Sequence, residues 1–362
     1  MLTNKFKINY SIGAVANGIK TDTFTFFLLF FYSNIIGLNP ALAGSAIFIA
    51  LCVDAVTDPL MGTISDRTNS SYGRRHPFMM ISFIPMSLGY IFLFAPRQDW
   101  DMSQSDLFIW MTIFTVITRI GMTLFDIPHR AFGGEVTKNY KERTILMSWR
   151  EMFGWVAGLS NAFLGYGVFF ASTPEYPQGQ LNPDAWFPFA VTGAIFMIVS
   201  VLYSSLSTKD EIKSLSKWSG SISLLDIFNE LKIAIGNKSF LIFFFGNLFL
   251  SLAWGLANTL TLFVNTYFWE FEATQIKYFL PIYLIGTLLA FYITPRMVNR
   301  FDKKYIVMIC IAAVGLLSPG PFIMYNLGLT PENGTLQLVF FISGFLLFLI
   351  TFNIVGIMVR DS

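Results

Sequence analysis

Long apolar runs alternate with short polar segments along most of the chain. A helix that crosses a bilayer needs about 20 mainly apolar residues, and this rule predicts ten spans. The pattern therefore indicates an all-α membrane protein. The predicted spans are residues 11–36, 41–64, 77–96, 106–131, 145–171, 185–206, 239–266, 273–295, 305–326 and 335–358.

One connection is much longer than the others. Residues 207–238 mix lysine, serine and apolar residues at helical spacing, which is typical of an amphipathic helix on the membrane surface. This linker separates residues 1–206, with six spans, from residues 239–362, with four. The loops "GTISDRTNSSYGRRHP" and "TPRMVNRFDKKY" follow the second and eighth spans, and each combines an acid with several bases. Such an echo is expected of a transporter built from two pseudo-symmetric halves.

The composition supports the membrane assignment. Only 13% of the 362 residues are charged and 54% are hydrophobic, whereas a soluble domain has about 25% charged residues. The net charge of +2 gives no indication of nucleic-acid binding. Cys52 and Cys310 lie in apolar segments, so we expect free thiols. The sequence has no P-loop, Gly-x-Ser-x-Gly turn or metal-binding histidine spacing, and we expect neither an enzyme nor a bound cofactor.

The basic residues predict the orientation. Most of the 24 Lys and Arg residues fall in the N-terminal segment, the linker and the loops at 65–76, 132–144 and 296–304. The positive-inside rule places these segments, with both termini, in the cytoplasm of a cell whose inner or plasma membrane holds the chain. The N-terminal segment lacks the apolar run and cleavage site of a signal peptide, so we expect the first span to direct insertion.

Two carboxylates lie in the second predicted span. Asp54 and Asp58 are four residues apart and share one helix face, with Thr57 beside them. Two such charges in a low dielectric must share a cation or a proton, or one must be neutral. Oxygen ligands suit a hard ion, and we expect Na⁺ or H⁺ here. The alternative is a structural pair bonded to neighbouring helices, or Asp58 capping the turn before Pro59.

Three stretches carry a resemblance to a known family. They are "DAVTDPLMGTISDRTNSSYGRRHPF" (54–78), "MTLFDIPHRAFGGEVTKNYKERT" (122–144) and Arg150 in "SWREMFGW". The chain resembles the glycoside–pentoside–hexuronide:cation symporters, the melibiose permease-like family of the major facilitator superfamily. The resemblance implies a major facilitator fold of twelve spans, of which this chain supplies ten, so we expect the last two helices to be lacking.

The resemblance also implies roles for individual residues. In the family, the positions of Asp54 and Asp58 coordinate the coupling cation, and those of Thr123 and Asp126 line the cation and sugar sites. Arg150 matches an arginine that contacts sugar. The sequence alone allows another interpretation, in which Asp126 only neutralises a nearby arginine. The predicted cation-binding residues are Asp54, Thr57, Asp58, Thr123 and Asp126.

The first span departs from the family pattern. An aspartate that is essential in sugar-transporting members aligns with Gly18, and Asp22 lies one turn further on the same face. Asp22 replaces it in the sugar site or pairs with Lys20. This departure weakens any prediction of galactoside specificity. The predicted substrate-binding residues are Asn17, Asp22, Asp126, Arg130 and Arg150.

A cytoplasmic gate motif follows the second span. In the family, charge pairs and a helix terminus at this motif hold two helices together, and the alternative is ordinary positive-inside charge. The matching residues are Gly62, Asp66, Arg67, Gly73, Arg74 and Arg75. Of the two histidines, we expect His76 to be solvated and His129 to be a hydrogen-bonded residue of the bundle rather than a proton carrier.

The leading hypothesis is secondary active transport, in which a monovalent cation drives uptake of a sugar or glycoside by alternating access. One alternative is a cation-coupled carrier of an amphipathic lipid or another organic solute. Another is a truncated membrane protein that transports nothing. The expected partners are a small-molecule substrate and the lipid bilayer, with no nucleic acid, and the protein is expected to be a monomer.

Overall fold

The computed structural model describes residues 2–68, 70–137, 139–209, 236–276, 278–298, 300–330, 341 and 344–351. Within these ranges the chain is helical and contains no strand. Seven of the described helices are long and apolar enough to cross a membrane, which confirms a multi-pass protein. The number of ten spans stays a prediction. The seven are Pro40–Arg67, His76–Leu93, Gln104–Glu135, Ile145–Phe169, Pro183–Ser207, Phe240–Phe268 and Tyr305–Asn326.

The chain forms two compact units, residues 1–270 and residues 271–362. The predicted boundary falls in the linker 207–238, of which residues 210–235 lie outside the described residues. The division into six and four spans therefore stays a prediction. The helices of the first unit are α1 (Asn4–Ile12), α2 (Ala14–Asp22), α3 (Leu28–Phe30), α4 (Pro40–Arg67), α5 (His76–Ile81), α6 (Phe83–Leu93), α7 (Gln104–Glu135), α8 (Tyr140–Leu164), α9 (Trp186–Ser207) and α10 (Lys238–Phe263).

Several helices of the first unit contain π-helical turns. Two such turns flank α3, a third follows α8 and a fourth follows α10. From α2 onwards the first span is therefore a helical segment whose hydrogen-bond pattern changes three times, from α to π, back to α and again to π. The π-helical segments among the described residues are Thr23–Phe27, Phe31–Ile36, Gly165–Phe169 and Val264–Phe268.

Local sequence explains where the long helices begin. Pro40 opens α4, and the side chain of Asn39 accepts a hydrogen bond from the Ala41 amide at 2.9 Å. Ser103 and Asp106 form a capping box at the start of α7, in which each side chain satisfies a backbone amide of the other. These caps supply partners to amides that a helix leaves unpaired at its N-terminus.

Glycines allow the closest helix crossings. A Cβ atom at Gly18 of α2 would overlap the carbonyl oxygen of Gly154 in α8, and one at Gly121 of α7 would overlap the backbone of Met86 in α6. Small residues let helix backbones approach in a membrane, where apolar burial gives little drive for association. The tight α2–α8 and α6–α7 contacts position the charged residues of these helices.

The two ends of the first unit differ in chemistry. We define the aromatic end by its buried rings: Phe27, Phe30, Phe31, Phe94, Phe170, Trp186 and Phe189. We define the charged end by four ionised side chains: Asp66, Arg74, Arg75 and Glu135. Because α9 begins in the aromatic end at Trp186 and its last turn meets His76 beside the charged end, the two lie at opposite ends of the helices.

The second unit contains α11 (Ala273–Ile276), α12 (Phe279–Val298), α13 (Lys303–Leu317) and α14 (Gly320–Asn326). Its core brings Ala290 of α12 against Ile306 and Cys310 of α13. The outward faces of helices in both units carry exposed large apolar residues, among them Ile113, Val199 and Ile309. Such faces suit contact with lipid chains.

Candidate cation and substrate site

Four polar residues face one another across α4 and α7. Thr123 donates a hydrogen bond to Oδ1 of Asp58 at 2.6 Å, and Arg119 forms an ion pair with Oδ2 of Asp54. Asp54 and Asp58 are four residues apart on α4, and Arg119 and Thr123 are four residues apart on α7. The two contacts therefore lie one helical turn apart in the same interface. The structure thus brings together Asp54, Asp58 and Thr123, three of the predicted cation-binding residues.

Two oxygens in this interface have no hydrogen-bond partner. They are Oδ1 of Asp54 and Oγ1 of Thr57, and both are buried. A buried polar atom without a partner is costly unless a ligand or water satisfies it. Carboxylate and hydroxyl oxygens are the donors that a hard cation prefers. Within the described ranges no group of three or more His, Cys, Asp or Glu side chains is placed to hold a metal ion, so a cation site here would need the threonine oxygen as well as the carboxylates.

Asp126 lies three residues beyond Thr123 on α7 and is neutralised by two arginines. Its Oδ2 accepts from Nε of Arg130 at 2.7 Å, and its Oδ1 forms an ion pair with Arg150 of α8. Arg119, which also lies on α7, pairs instead with Asp54. Asp126 thus has the arginine neighbours that the alternative interpretation of the sequence requires. Its predicted roles in binding the cation and the substrate stay predictions.

Arg150 is a buried bridge rather than an exposed group. Its side chain is only 1% exposed, and each of its three nitrogens has a partner. Nη1 donates to Oε1 of Glu151 at 3.0 Å, Nε donates to Nδ1 of His129 at 3.3 Å, and Nη2 pairs with Asp126. A substrate that entered this site would therefore contact the more exposed residues around Arg150 before it contacted Arg150 itself.

Those outer residues are Asp126, Arg130 and Glu151, which we name the charged edge. The side chains of Arg130 and Glu151 are 49% and 42% exposed, and their charged groups are 3.7 Å apart. The edge offers guanidinium donors and carboxylate acceptors to neighbouring hydroxyl groups. Sequence reasoning missed Glu151, because an acid that follows an arginine in a polar helical turn gives no distinctive signal.

The predicted residues of the first span lie on different faces. Oδ1 of Asn17 accepts from Thr21 at 3.4 Å. Asp22 packs against Gly158 of α8, and its buried Oδ2 has no partner. Lys20 lies 5.6 Å from the ring centroid of Phe24, and no ion pair joins it to Asp22 among the described contacts. Two residues apart on a helix, Lys20 and Asp22 point to nearly opposite sides.

Phe24 of the first span lies beside Arg119, the partner of Asp54. The guanidinium carbon of Arg119 lies 5.5 Å from the Phe24 ring centroid, a distance similar to that of the Lys20 ammonium. Both distances fall within the range of cation–π attraction. Two positive groups therefore flank one ring beside Asp54.

The charged end contains three of the predicted gate residues. Arg75 donates to Oδ1 of Asp66 at 2.6 Å and pairs with Glu135 of α7. Arg74 pairs with the other oxygen of Glu135 at 2.7 Å. Arg75 is 5% exposed, so its charge is not the solvated loop charge of the alternative interpretation. Gly73 has a φ of 75°, a left-handed conformation that favours glycine.

The remaining gate residues lie in α4. Gly62 faces Ile127 of α7, since a Cβ atom added to it would lie 3.8 Å from that side chain, and Arg67 is the last residue of the helix. Glu135 is the central acid of the network and was not singled out from the sequence, where it reads as one charge in a basic loop.

The prediction for His76 is wrong. His76 is 2% exposed and its Nε2 lies 3.1 Å from Oγ1 of Thr208 at the end of α9. Its ring meets Phe132 edge to face. His76 is the first residue of α5 rather than a loop residue, and its ring packs into the bundle, which a count of loop residues does not show. His129 is a buried, hydrogen-bonded residue of the bundle as predicted.

The described spans form a multi-pass helical bundle with ion pairs between its helices, an arrangement compatible with a membrane transporter. The chain belongs to the family described as MFS/sugar transport protein, which it matches over residues 9–362. This finding confirms the resemblance seen in the sequence.

Two similar proteins are named as symporters. The chain is 32% identical to "Uncharacterized symporter sll1374" of Synechocystis sp., over 57% of this chain and 38% of that protein. It is 27% identical to "Putative glycoside/cation symporter YagG" of Escherichia coli, over 97% of this chain and 72% of that protein. The matched region therefore spans little more than a third of one relative and nearly three quarters of the other.

The fold is that of a solved sugar transporter. A partially occluded, inward-open structure of the xylose transporter XylE from Escherichia coli superposes with a TM-score of 0.63. The match covers 99% of this chain and 86% of that one at 14% sequence identity. The predicted major facilitator fold is confirmed.

Proposed function

We propose that this chain couples a monovalent cation, Na⁺ or H⁺, to the uptake of a sugar or glycoside by alternating access. One observation carries the proposal. The unpartnered oxygens of Asp54 and Thr57 lie beside the ion pair between α4 and α7, and the charged edge begins one turn further along α7. A candidate cation site and a candidate substrate site thus adjoin on one helix.

The geometry suggests how the two sites would communicate. Thr123 donates to Asp58 and is separated from Asp126 by three residues, about 4.5 Å along the helix axis. A cation between Asp54, Thr57 and Asp58 would compete with Arg119 and Thr123 for the carboxylate oxygens. Any resulting shift of α7 would move Asp126, and the effect of one ligand on the other must be reciprocal.

The substrate class follows from the charged edge and from the relatives. Asp126, Arg130 and Glu151 present both acceptors and donors, which suits a polyhydroxylated molecule. YagG carries a glycoside/cation name, and we extend that class to this chain. We further propose a monomer in the cell membrane with a cytoplasmic N-terminus. The Leu2 amide lies 3.0 Å from Oε1 of Glu142, at the end of the unit that carries the basic loops.

Replacement of the cation-site acids tests the proposal. Counterflow of a panel of p-nitrophenyl glycosides would be measured in proteoliposomes with and without Na⁺ and at several pH values. Asp58→Asn should abolish stimulation by the cation, because it removes a charge that the ion neutralises. Asp184→Asn is the matched control, since that acid is 77% exposed at the aromatic end.

Two outcomes would contradict the proposal. One is glycoside counterflow by the wild type that no cation alters, and the other is equal stimulation in Asp58→Asn and Asp184→Asn. Competition by a lysophospholipid but by no sugar would point instead to the carrier of an amphipathic lipid.

A further inference from the structure

His129 occupies an enclosed aromatic pocket next to the charged edge. It has no exposed surface, and its ring stacks between Tyr10, at a centroid distance of 4.1 Å, and Phe125, at 4.8 Å. Gly13 makes room for it, because a Cβ atom there would come within 2.9 Å of Nε2.

Hydrogen bonds fix the protonation of the ring. Nε2 lies 3.0 Å from the carbonyl oxygen of Tyr10, which only accepts, so Nε2 must carry a hydrogen. Nδ1 lies 3.3 Å from Nε of Arg150, which only donates, so Nδ1 must present its lone pair. The network therefore assigns a neutral imidazole with its hydrogen on Nε2.

A second proton would break this arrangement. Protonation of Nδ1 would place its hydrogen against the N–H of Arg150 and a positive ring beside a buried guanidinium. Two facing donors and two like charges in a low dielectric are both unfavourable. Around the ring, the charged groups are Arg150 from α8, its partner Asp126 on α7 and, from the same helix, Arg130.

The bond to His129 determines where Arg150 points. Because Nε donates to Nδ1 of His129, the two terminal nitrogens of Arg150 are directed at Asp126 and Glu151. His129 is in turn anchored to the first span, since Oη of Tyr10 donates to the His129 carbonyl oxygen at 3.0 Å. A chain of contacts thus runs from α1 through His129 and Arg150 to the charged edge.

We propose that His129 is a positioning residue that acts through Arg150, holding its guanidinium so that Asp126 and Glu151 keep the spacing that a substrate meets. The link to substrate rests on the proposed function, whereas the link to Arg150 does not. His129 keeps one protonation state throughout and carries no proton during transport.

Two amide substitutions separate the positioning role from simple packing. In His129→Asn the side-chain oxygen falls near the place of Nδ1 and keeps an acceptor for Arg150. In His129→Gln the amide reaches the place of Nε2 and keeps the bond to Tyr10, while Arg150 loses its acceptor. Titration calorimetry with a p-nitrophenyl glycoside should show an affinity within about twofold of wild type for Asn. For Gln it should be about tenfold weaker, the effect of one hydrogen bond to a charged group.

The pH profile provides a readout that packing alone would not change. His129→Asn cannot titrate, so its profile of glycoside counterflow against pH should coincide with that of the wild type. A flattened profile would show that His129 carries a proton and would overturn the proposal. Equal losses of affinity in Asn and Gln would overturn it as well.

A double-mutant cycle keeps the test independent of transport. The thermal midpoints of His129→Gln, Arg150→Gln and the double variant would be measured in detergent, and the double shift should be clearly smaller than the sum of the single shifts. Additive shifts would refute the contact between His129 and Arg150. If the wild type binds no glycoside but the shifts are non-additive, the proposed function fails while the positioning role stands.

Discussion

The charged end and the aromatic end of the first unit are held together by different interactions. At the charged end, Arg75 is surrounded by Asp66, Glu135 and Ser65. At the aromatic end, Trp186 lies among the rings of Phe27, Phe31 and Phe170, and its Nε1 donates to a backbone carbonyl at 3.1 Å.

The two ends differ in the free energy that a movement of the helices would cost. Ion pairs are directional, and their separation leaves charges that water or another partner must solvate. Ring packing has little directionality, and its loss leaves a cavity whose cost depends on volume. The charged end is therefore suited to exchange partners, whereas the aromatic end is suited to stay packed.

The largest effect is expected at the aromatic end. Trp186→Ala should lower the free energy of unfolding by about 3–5 kcal/mol, because a fully buried indole is removed and the surroundings cannot fill its place. The loss should be the same at low and high NaCl. Unfolding of the detergent-solubilised protein would measure it.

The matched control for that substitution is the next residue. Phe187 is 45% exposed, and Phe187→Ala should cost about 1 kcal/mol or less, as for most surface positions. Equal losses for the two variants would mean that the aromatic end is not a packed core.

A somewhat smaller effect is expected at the charged end. Arg75→Gln should cost about 3 kcal/mol, because Asp66 and Glu135 lose a cation that is itself buried. Adding Asp66→Asn should restore part of the loss, because Asp66 loses Arg75 whereas Glu135 keeps Arg74 as a partner. Unfolding of both variants under the same conditions would check this, and a double variant no more stable than Arg75→Gln would contradict it.

The smallest effect sharpens the comparison. Arg97 and Asp184 form an ion pair of 2.8 Å near the aromatic end, but their side chains are 60% and 77% exposed. Arg97→Gln should change the free energy of unfolding by less than about 0.5 kcal/mol. A change as large as that of Arg75→Gln would show that burial does not decide the strength of these pairs.

The sequence predicts the membrane spans and the stripes of charge, because both depend on spacing within one helix. Asp54 and Asp58 share a face for that reason, and so do Arg119 and Thr123. The pairing of Asp54 with Arg119, and of Asp126 with Arg150, depends on how two helices are placed along each other. A hydropathy pattern describes one helix at a time and does not contain that placement.

Burial of polar loop residues was also beyond the sequence. His76 follows two arginines and looks solvated, yet it is buried, because it begins α5 and its ring contacts Phe132 and Thr208. Glu135 and Glu151 carry no motif of their own. Their importance comes from the arginines that contact them, Arg74 and Arg75 for Glu135 and Arg130 and Arg150 for Glu151.

The π-helical turn at Thr23–Phe27 sets how the rest of the first span is rotated about the helix axis. Each π turn takes in one additional residue, so everything beyond it is out of phase with an uninterrupted α-helix by about 100°. Deletion of one residue within this turn would swing Phe30 and Phe31 away from Trp186, while Lys20 and all earlier residues would keep their facing. The one additional residue of this π turn therefore sets the rotation of the aromatic end of the first span relative to the Asp54–Arg119 ion pair.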